Sequence, residues 1–411
     1  MDRRKREIPG CLGGLWKRPR PAEDGNMRGR RNFPKGRNMA VSAVLLAAAA
    51  AVLPCEAGAG SAWAASGKAA GPGHPAVSES GRFAGTGSGL EDGQSVPLGG
   101  SPAGGYESTP VGLHGALRVQ GSHLVDAKGE NYQLYGMSTH GLSWFPQYVN
   151  KEAFQTLRDD WNTNCVRLAL YTDEYNGYCG GGNQEEQKKL VDQGVTYAAE
   201  LGMYAIVDWH VLNDRDPNVH KAEALAFFDE MAKRWKDHDN VIYEICNEPN
   251  SGATWDGIKS YANEVIPVIR EHDSDAVIIV GTPTWSQDIH QALDSPLEFD
   301  NVMYALHFYA GTHTDWLRNR CEECVTKGLP VFISEFGMCD ASGSGGNNFD
   351  QASRWMELIR QYDLSYCCWN LANKNETSSV IKPDCQKTSG WTESDLSESG
   401  QWIRERFRAE S

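Results

Sequence analysis

No run in this 411-residue chain is long and apolar enough to cross a bilayer. The longest, Met39–Leu53, has 15 residues, where a membrane-spanning helix needs about 20. Basic side chains are scarce once the N-terminal stretch is passed. The formal charge is −15, but residues 1–54 hold 12 Lys/Arg and 4 Asp/Glu, which leaves 27 basic and 50 acidic residues, a net −23, in the rest. A body that acidic repels phosphate backbones, so nucleic acid is excluded as a partner. Motifs are missing too. No G-x-G-x-x-G follows the first predicted strand, which argues against a dinucleotide-binding open sheet. Neither H-x-H nor H-E-x-x-H occurs, and no second Cys/His pair is spaced for zinc with Cys321-x-x-Cys324. A metal hydrolase built on His210 and His307 is thereby disfavoured, and no metal or cofactor is expected. No internal repeat is visible.

What is present divides into three parts. Residues 1–64 read as a leader: a basic stretch, the 15-residue apolar run, then a small-residue cleavage site at Ala62-Trp63-Ala64. Met27 is an alternative start. Arg30-Arg31-Asn32-Phe33-Pro34-Lys35 resembles a twin-arginine export signal, with ordinary basic flanking charge as the competing reading. Either implies secretion, with periplasmic or cell-surface retention as variants. Residues 65–110 are rich in Gly, Ser, Pro and Ala without apolar periodicity, so a flexible linker is expected. Residues 111–411 form the globular part. Nine cysteines lie beyond the leader, and an odd number fits a disulfide framework poorly. Cys321 and Cys324 share one face of a predicted helix that Gly328 terminates, so buried free thiols are expected.

The globular part opens with a hairpin, Leu117–Val119 and His123–Val125 around a turn at Gln120-Gly-Ser122. Eight strand-like segments follow: Tyr132–Met137, Cys165–Leu170, Met203–Trp209, Val241–Cys246, Val277–Gly281, Val302–Tyr309, Pro330–Glu335 and Ser365–Asn370. Helical stripes lie between them: Phe154, Leu157, Trp161; Leu225, Phe228, Ala232, Trp235; Ile258, Tyr261, Val265, Ile269; and Trp355, Leu358, Ile359, Tyr362. Eight strands alternating with helices predict an α/β fold, a (β/α)8 TIM barrel with the hairpin plugging its base.

In such a barrel, functional groups gather where the strands end at their C-termini. Here those ends are polar: Arg167 and Tyr171, Asp208-Trp209-His210, Asn247-Glu248, His307-Phe308-Tyr309, Ser334-Glu335, Trp369-Asn370. Any one has a bland reading as a capped or solvated residue; six strands aiming such groups at one rim do not. Glu248 and Glu335, on nonadjacent strands, would face each other across the mouth. Glycoside hydrolysis uses such a pair, one protonating the leaving oxygen while the other attacks the anomeric carbon or activates water. The 13 Trp are compatible with ligands that have flat apolar faces, such as sugars, although core packing explains most of them.

The segments Val111-Gly-Leu-His-Gly-Ala-Leu-Arg-Val119, Gly136-Met-Ser-Thr-His-Gly-Leu-Ser-Trp-Phe-Pro-Gln-Tyr148, Val207-Asp-Trp-His-Val-Leu212, Ile242-Tyr-Glu-Ile-Cys-Asn-Glu-Pro249, Leu306-His-Phe-Tyr-Ala310, Phe332-Ile-Ser-Glu-Phe-Gly337 and Trp369-Asn-Leu371 together resemble glycoside hydrolase family 5. The likeness is to its bacterial endoglucanases, clan A retaining enzymes. The resemblance implies a β-glucan polysaccharide as substrate, Glu248 as acid/base and Glu335 as nucleophile. It implies that Arg167, His210, Asn247, His307, Tyr309 and Trp369 line the catalytic subsite. His140, Trp144, Tyr171, Lys374 and Glu376 would lie on the glycone side, and Trp285 towards the aglycone. A secreted monomer acting as an endo-β-1,4-glucanase is the leading expectation. A related retaining β-glycanase acting on mannan, mixed-linkage glucan or xyloglucan, and a non-catalytic carbohydrate-binding barrel, are the alternatives. Glu244, deeper in its strand, is given no catalytic role.

Overall fold

The computed structural model describes residues 105–410. The expected leader and the linker as far as residue 104 lie outside them. The expected boundary at Val111 shifts, because the last residues assigned to the linker are folded. Thr109 caps the short helix Pro110–His114 by accepting from the Gly112 N–H at 3.1 Å, with Pro110 in the first helical position. Strands β1 (Arg118–Gln120) and β2 (His123–Val125) pair antiparallel around Gly121, whose φ of +63° suits a residue without Cβ.

The eight barrel strands are β3 (Tyr135–Thr139), β4 (Cys165–Tyr171), β5 (Tyr204–His210), β6 (Val241–Glu244), β7 (Ile278–Val280), β8 (Val302–Tyr309), β9 (Val331–Gly337) and β10 (Tyr366–Leu371). All pair in parallel, and β10 closes on β3. Each coincides with an expected segment to within a few residues. The β6 ladder stops at Glu244, yet the chain stays attached beyond it. Ile245 N–H donates to Ile279 O, Asn247 N–H to Trp209 O and Glu248 N–H to Val211 O, at 3.0 to 3.2 Å.

Three of the four helical stripes fall on Lys221–Trp235, Trp255–His272 and Phe349–Gln361, buried except for Leu225 and for Tyr362, which caps the last of them and is half-buried like Leu225. The fourth overruns its helix: Lys151–Asp159 ends before Trp161, which is nonetheless fully buried. The helix Gln184–Leu201 went unpredicted for a physical reason. Its inward face includes small or polar residues, among them Gln187, Gly194 and Ala198, so no strong apolar period marks it. Gly194 lets it lie on β4: a Cβ there would meet Leu168 at 2.7 Å. The helix Asp315–Thr326 buries Cys321 and Cys324, and all nine cysteines of the described residues are free thiols, seven of them buried.

The barrel interior is layered. Cys165, Tyr204, Ile206, Ile242, Ile279, Met303, Ala305, Phe332 and Cys367 pack as an apolar plug, and Leu117 and Leu124 from the hairpin region join it. The hairpin therefore closes the base, as expected. Gly136 is what lets β3 fit between its neighbours: a Cβ there would sit 1.9 Å from Cys165 O and 2.8 Å from Cys165 Sγ. Gly136→Ala should destabilise the fold by about 2–3 kcal/mol through overpacking. Urea denaturation would show this as a lower midpoint at unchanged slope.

Candidate active site

Alternation along a strand carries the interior from apolar to charged. On β4 and β5 the inward file runs Cys165, Arg167, Ala169, Tyr171 and Tyr204, Ile206, Asp208, His210. Glu244 occupies the matching level of β6. β9 departs from strict alternation. Its pairing with β8 shifts between Ala305 and His307. That bulge lets Ser334 and Glu335 both reach the interior, while Ile333 and Phe336 pack outward.

Arg167 is fully buried at the centre of this polar layer. Its Nε donates to Glu244 Oε2 at 2.7 Å and its Nη2 to Asn247 Oδ1 at 2.6 Å. Nη2 also lies 3.0 Å from Asp208 Oδ2, and Nη1 lies 3.5 Å from Glu335 Oε2. Ser334 Oγ donates to Glu244 Oε1 at 2.7 Å. Burial disfavours ionised Glu244, but the charges of Arg167 and His307 outweigh it and bring its pKa down to about 2. Asp208 moves the other way. Burial, together with the charges of Glu244 and Glu335, raises its pKa well above the usual range despite Arg167. Its Oδ1 has no hydrogen-bond partner.

The two expected carboxylates do meet. Glu248 Oε1 is 2.9 Å from His307 Nδ1, and Tyr309 Oη donates to Glu335 Oε1 at 2.8 Å. One oxygen of Glu248, one of Glu335 and a ring nitrogen of His307 all lie within 4.8 Å of one another. Burial, then the negative charge of Glu248, lifts the Glu335 pKa to about 7. Burial opposes charging of His307, but the Glu244 and Glu248 carboxylates carry its pKa up to about 9. Nε2 reaches Glu244 through Ser334, at 2.9 Å to the hydroxyl and 3.8 Å to the carboxylate. Two carboxylates and a histidine so close could in principle hold a metal ion. Both nitrogens of this histidine are already engaged, so the donor set suits a proton network better than a cation.

His210 is held neutral, its pKa well below the usual value through burial and the charge of Arg167. Nδ1 donates to Asp208 Oδ2 at 2.6 Å, and Nε2 accepts from Asn247 Nδ2 at 3.2 Å. Above this layer opens a cleft of ≈580 Å³. Glu248, Glu335, His210, His307, Tyr309, Trp369, His140, Tyr171, Lys374, Glu376 and Trp285 all line it. Arg167 and Asn247 do not; this corrects their expected place. Both are wholly buried beneath the wall, with polar atoms committed to protein partners. Trp144 packs edge-on to Tyr171 and His140, with centroids 4.7 and 5.9 Å away. At one end Lys374 Nζ lies 2.6 Å from Glu376 Oε2, and Asn370 Nδ2 donates to Glu376 Oε1 at 2.9 Å. Trp285 stands on the loop after β7, on the barrel arc away from β3, β4 and β10.

Three residues that organise the site are given no role by the sequence. Glu244 anchors Arg167, Ser334 joins Glu244 to His307, and His313 lines the cleft while accepting the Tyr309 N–H at 2.8 Å. A two-residue count inward from Cys165 and Ile242 would have flagged Arg167 and Glu244 as facing one another.

Comparison with known proteins agrees with this geometry. The sequence model of the cellulases, glycosyl hydrolase family 5, matches residues 125–375. The chain belongs to glycosyl hydrolase family 5. Endoglucanase A of Butyrivibrio fibrisolvens is 53% identical over 293 residues, covering 71% of this chain and 68% of the relative. Endoglucanase 5 of Pectobacterium carotovorum subsp. carotovorum is 47% identical over 303 residues, 74% of this chain but only 59% of the relative. Among solved structures, cellulase Cel5C_n superposes with a TM-score of 0.72 at 44% identity, covering 75% of this chain and 95% of that one. The catalytic domain of Thermobifida fusca endoglucanase Cel5A, as a variant in complex with cellotetraose, gives 0.68 at 37% identity, covering 73% and 99%. This family 5 glycoside hydrolase thus keeps its acids and aromatics at the C-terminal rim of the barrel.

Because Arg167 neutralises the layer beneath the cleft, its removal strands buried carboxylates. Arg167→Met should cost about 3–5 kcal/mol in folding free energy. Arg167→Lys, which keeps the charge but loses the fork geometry, should cost less. Thermal or urea unfolding of both variants tests the order.

Proposed function

We propose that this enzyme is a secreted, monomeric endo-β-1,4-glucanase that hydrolyses internal bonds of β-glucans by double displacement with retention. The observation that carries the mechanism is the approach of Glu248 and Glu335, with oxygens within 4.8 Å. Retaining enzymes hold their carboxyls about 5–5.5 Å apart, whereas inverting enzymes need roughly 6.5–9.5 Å to admit a water. A cleft lined by Tyr171 and Trp369 on one side and by Trp285 on the other favours binding along a chain rather than at its tip. The relatives named endoglucanase, and the cellotetraose complex of the Thermobifida enzyme, support a β-1,4-glucan. Export rests on the leader sequence.

In the first step a Glu335 oxygen attacks the anomeric carbon as the glycosidic bond breaks, and Glu248 gives its proton to the departing oxygen. In the second, Glu248 takes a proton from water, whose oxygen displaces Glu335 from the same carbon. Two carboxylates so close disfavour double ionisation, and the mechanism needs the one negative charge on Glu335. Tyr309 and Arg167 both direct donors at Glu335 and hold that charge there. His307 grips one oxygen of Glu248 and leaves the other to carry the proton.

Glu335→Gln should lower turnover on soluble cellulose by about 10³-fold or more, with the fold and oligosaccharide binding retained. Wild-type turnover in that variant would sink the mechanism, as would an α-configured first product by NMR. The same substitution has a stability consequence. A carboxyl whose folded pKa is raised contributes most below its unfolded value near 4.5 and loses that contribution as pH rises through about 7. Glu335→Gln should therefore gain on the order of 1–3 kcal/mol over wild type at pH 8 and little at pH 4. Tyr309→Phe removes a donor that favours ionised Glu335. Its acidic limb of kcat/KM should move to higher pH, which a pH–rate profile would reveal.

A further inference from the structure

Few large apolar side chains are exposed among the described residues, and two tryptophans stand out: Trp285, 41% exposed, and Trp316, 47% exposed. Trp285 lines the cleft, as its family resemblance implies. Trp316 has no assigned role, yet it is fixed to the same rim. It lies in the first turn of the helix Asp315–Thr326, just after β8. Its ring packs edge-on against His313, with centroids 5.8 Å apart, and His313 itself lines the cleft. One turn further on, the Arg320 guanidinium lies 5.5 Å from the Trp316 ring centroid.

Arg320 also ties the two tryptophans together. Its Nη1 donates to Gln287 O at 3.1 Å and to Asp288 Oδ1 at 2.6 Å, directly after the turn that presents Trp285. That turn is strained: Thr284, Trp285 and Ser286 all have positive φ, at 60°, 54° and 53°. Non-glycine residues adopt this conformation only where their surroundings enforce it. Here Trp285 N–H donates to Pro249 O at 3.0 Å, and Ser286 Oγ donates to Asn247 O at 2.6 Å. Trp285 is thereby braced against the segment that carries Glu248, and Arg320 extends the brace to Trp316.

We propose that Trp316, backed by Arg320, is a sugar-binding platform beyond Trp285, stacking on a further glucosyl unit of the chain on the leaving-group side. The proposal rests on the endoglucanase reading above. β-Linked glucose presents C–H faces between equatorial hydroxyls, and an indole held rigid but half in water is suited to cover one. A purely structural Trp316 would pack on His313 and Arg320 and make no difference to chain length.

The test compares cellohexaose, long enough to reach Trp316, with an aryl β-cellobioside, whose leaving group ends near the bond cleaved. In Trp316→Ala the ratio of kcat/KM for cellohexaose to that for the aryl substrate should fall about 5–10-fold, carried by KM on the long substrate. Trp316→Phe, which keeps a flat ring, should restore most of that ratio. An unchanged ratio in Trp316→Ala overturns the platform, and so does a loss shared equally by both substrates. A wild-type enzyme that cleaves neither substrate would instead remove the endoglucanase reading on which the platform rests.

Discussion

Charge buried beneath the cleft floor needs a partner of opposite sign, and this constraint organises the whole upper layer. Four carboxylates, Asp208, Glu244, Glu248 and Glu335, converge there with two cationic groups, Arg167 and His307. The carboxylates outnumber the cations, so full ionisation of all four is disfavoured. Glu244, with its pKa down at about 2, gives up its proton. Burial, with the charges of Glu244 and Glu335, pushes Asp208 the other way, towards its neutral form. Glu335, buried beside Glu248, is raised as well, to about 7. A single proton on a close pair of carboxylates is the state in which acid and nucleophile coexist.

Backbone geometry decides which side chains enter this balance. Strict alternation on β4, β5 and β6 brings Arg167, Asp208 and Glu244 to one level above the apolar plug. The same alternation on β9 would have supplied Ser334 or Glu335, not both. The shifted pairing between β8 and β9 supplies both, so Ser334 links Glu244 to His307 while Glu335 faces the cleft. The layer is thus a joint product of pleat and bulge. It is also rigid, since Asn247 is bonded to Arg167, His210 and Val211 at once.

Much of this was legible in the chain itself. The eight strands follow from short β-branched and aromatic runs, and the rim residues follow from where those runs end. What the runs conceal is depth. Asn247 and Glu248 are adjacent in sequence, yet one is sealed beneath the cleft wall and the other opens into it. Arg167 was likewise expected at the surface of the site, because a strand-end arginine gives no sign of which carboxylates will enclose it. Glu244 was set aside for lying deeper in its strand, although that depth is what lets it hold Arg167. The helix Gln184–Leu201 escaped notice because close packing on β4 is achieved by Gly194 and alanines, which carry little periodic signal.

The two clamps around the catalytic pair differ in a way that follows the proposed reaction. In the proposed reaction the attacking charge is on Glu335, where Tyr309 and Arg167 place donors. When Glu335 becomes an ester that charge disappears, and Glu248, having lost its proton, carries one instead. The new carboxylate lies 2.9 Å from His307, whose raised pKa keeps it cationic through neutral pH. The count of charges in the layer is therefore the same before and after the first step. Only its position moves, between oxygens that lie within 4.8 Å of each other. Donors already fixed at both ends of that path need little reorganisation as charge moves, which is how a preorganised site lowers the barrier. On this view His307 is to the glycosyl-enzyme stage what Arg167 and Tyr309 are to the free enzyme, and Ser334 with Glu244 is what holds it ready.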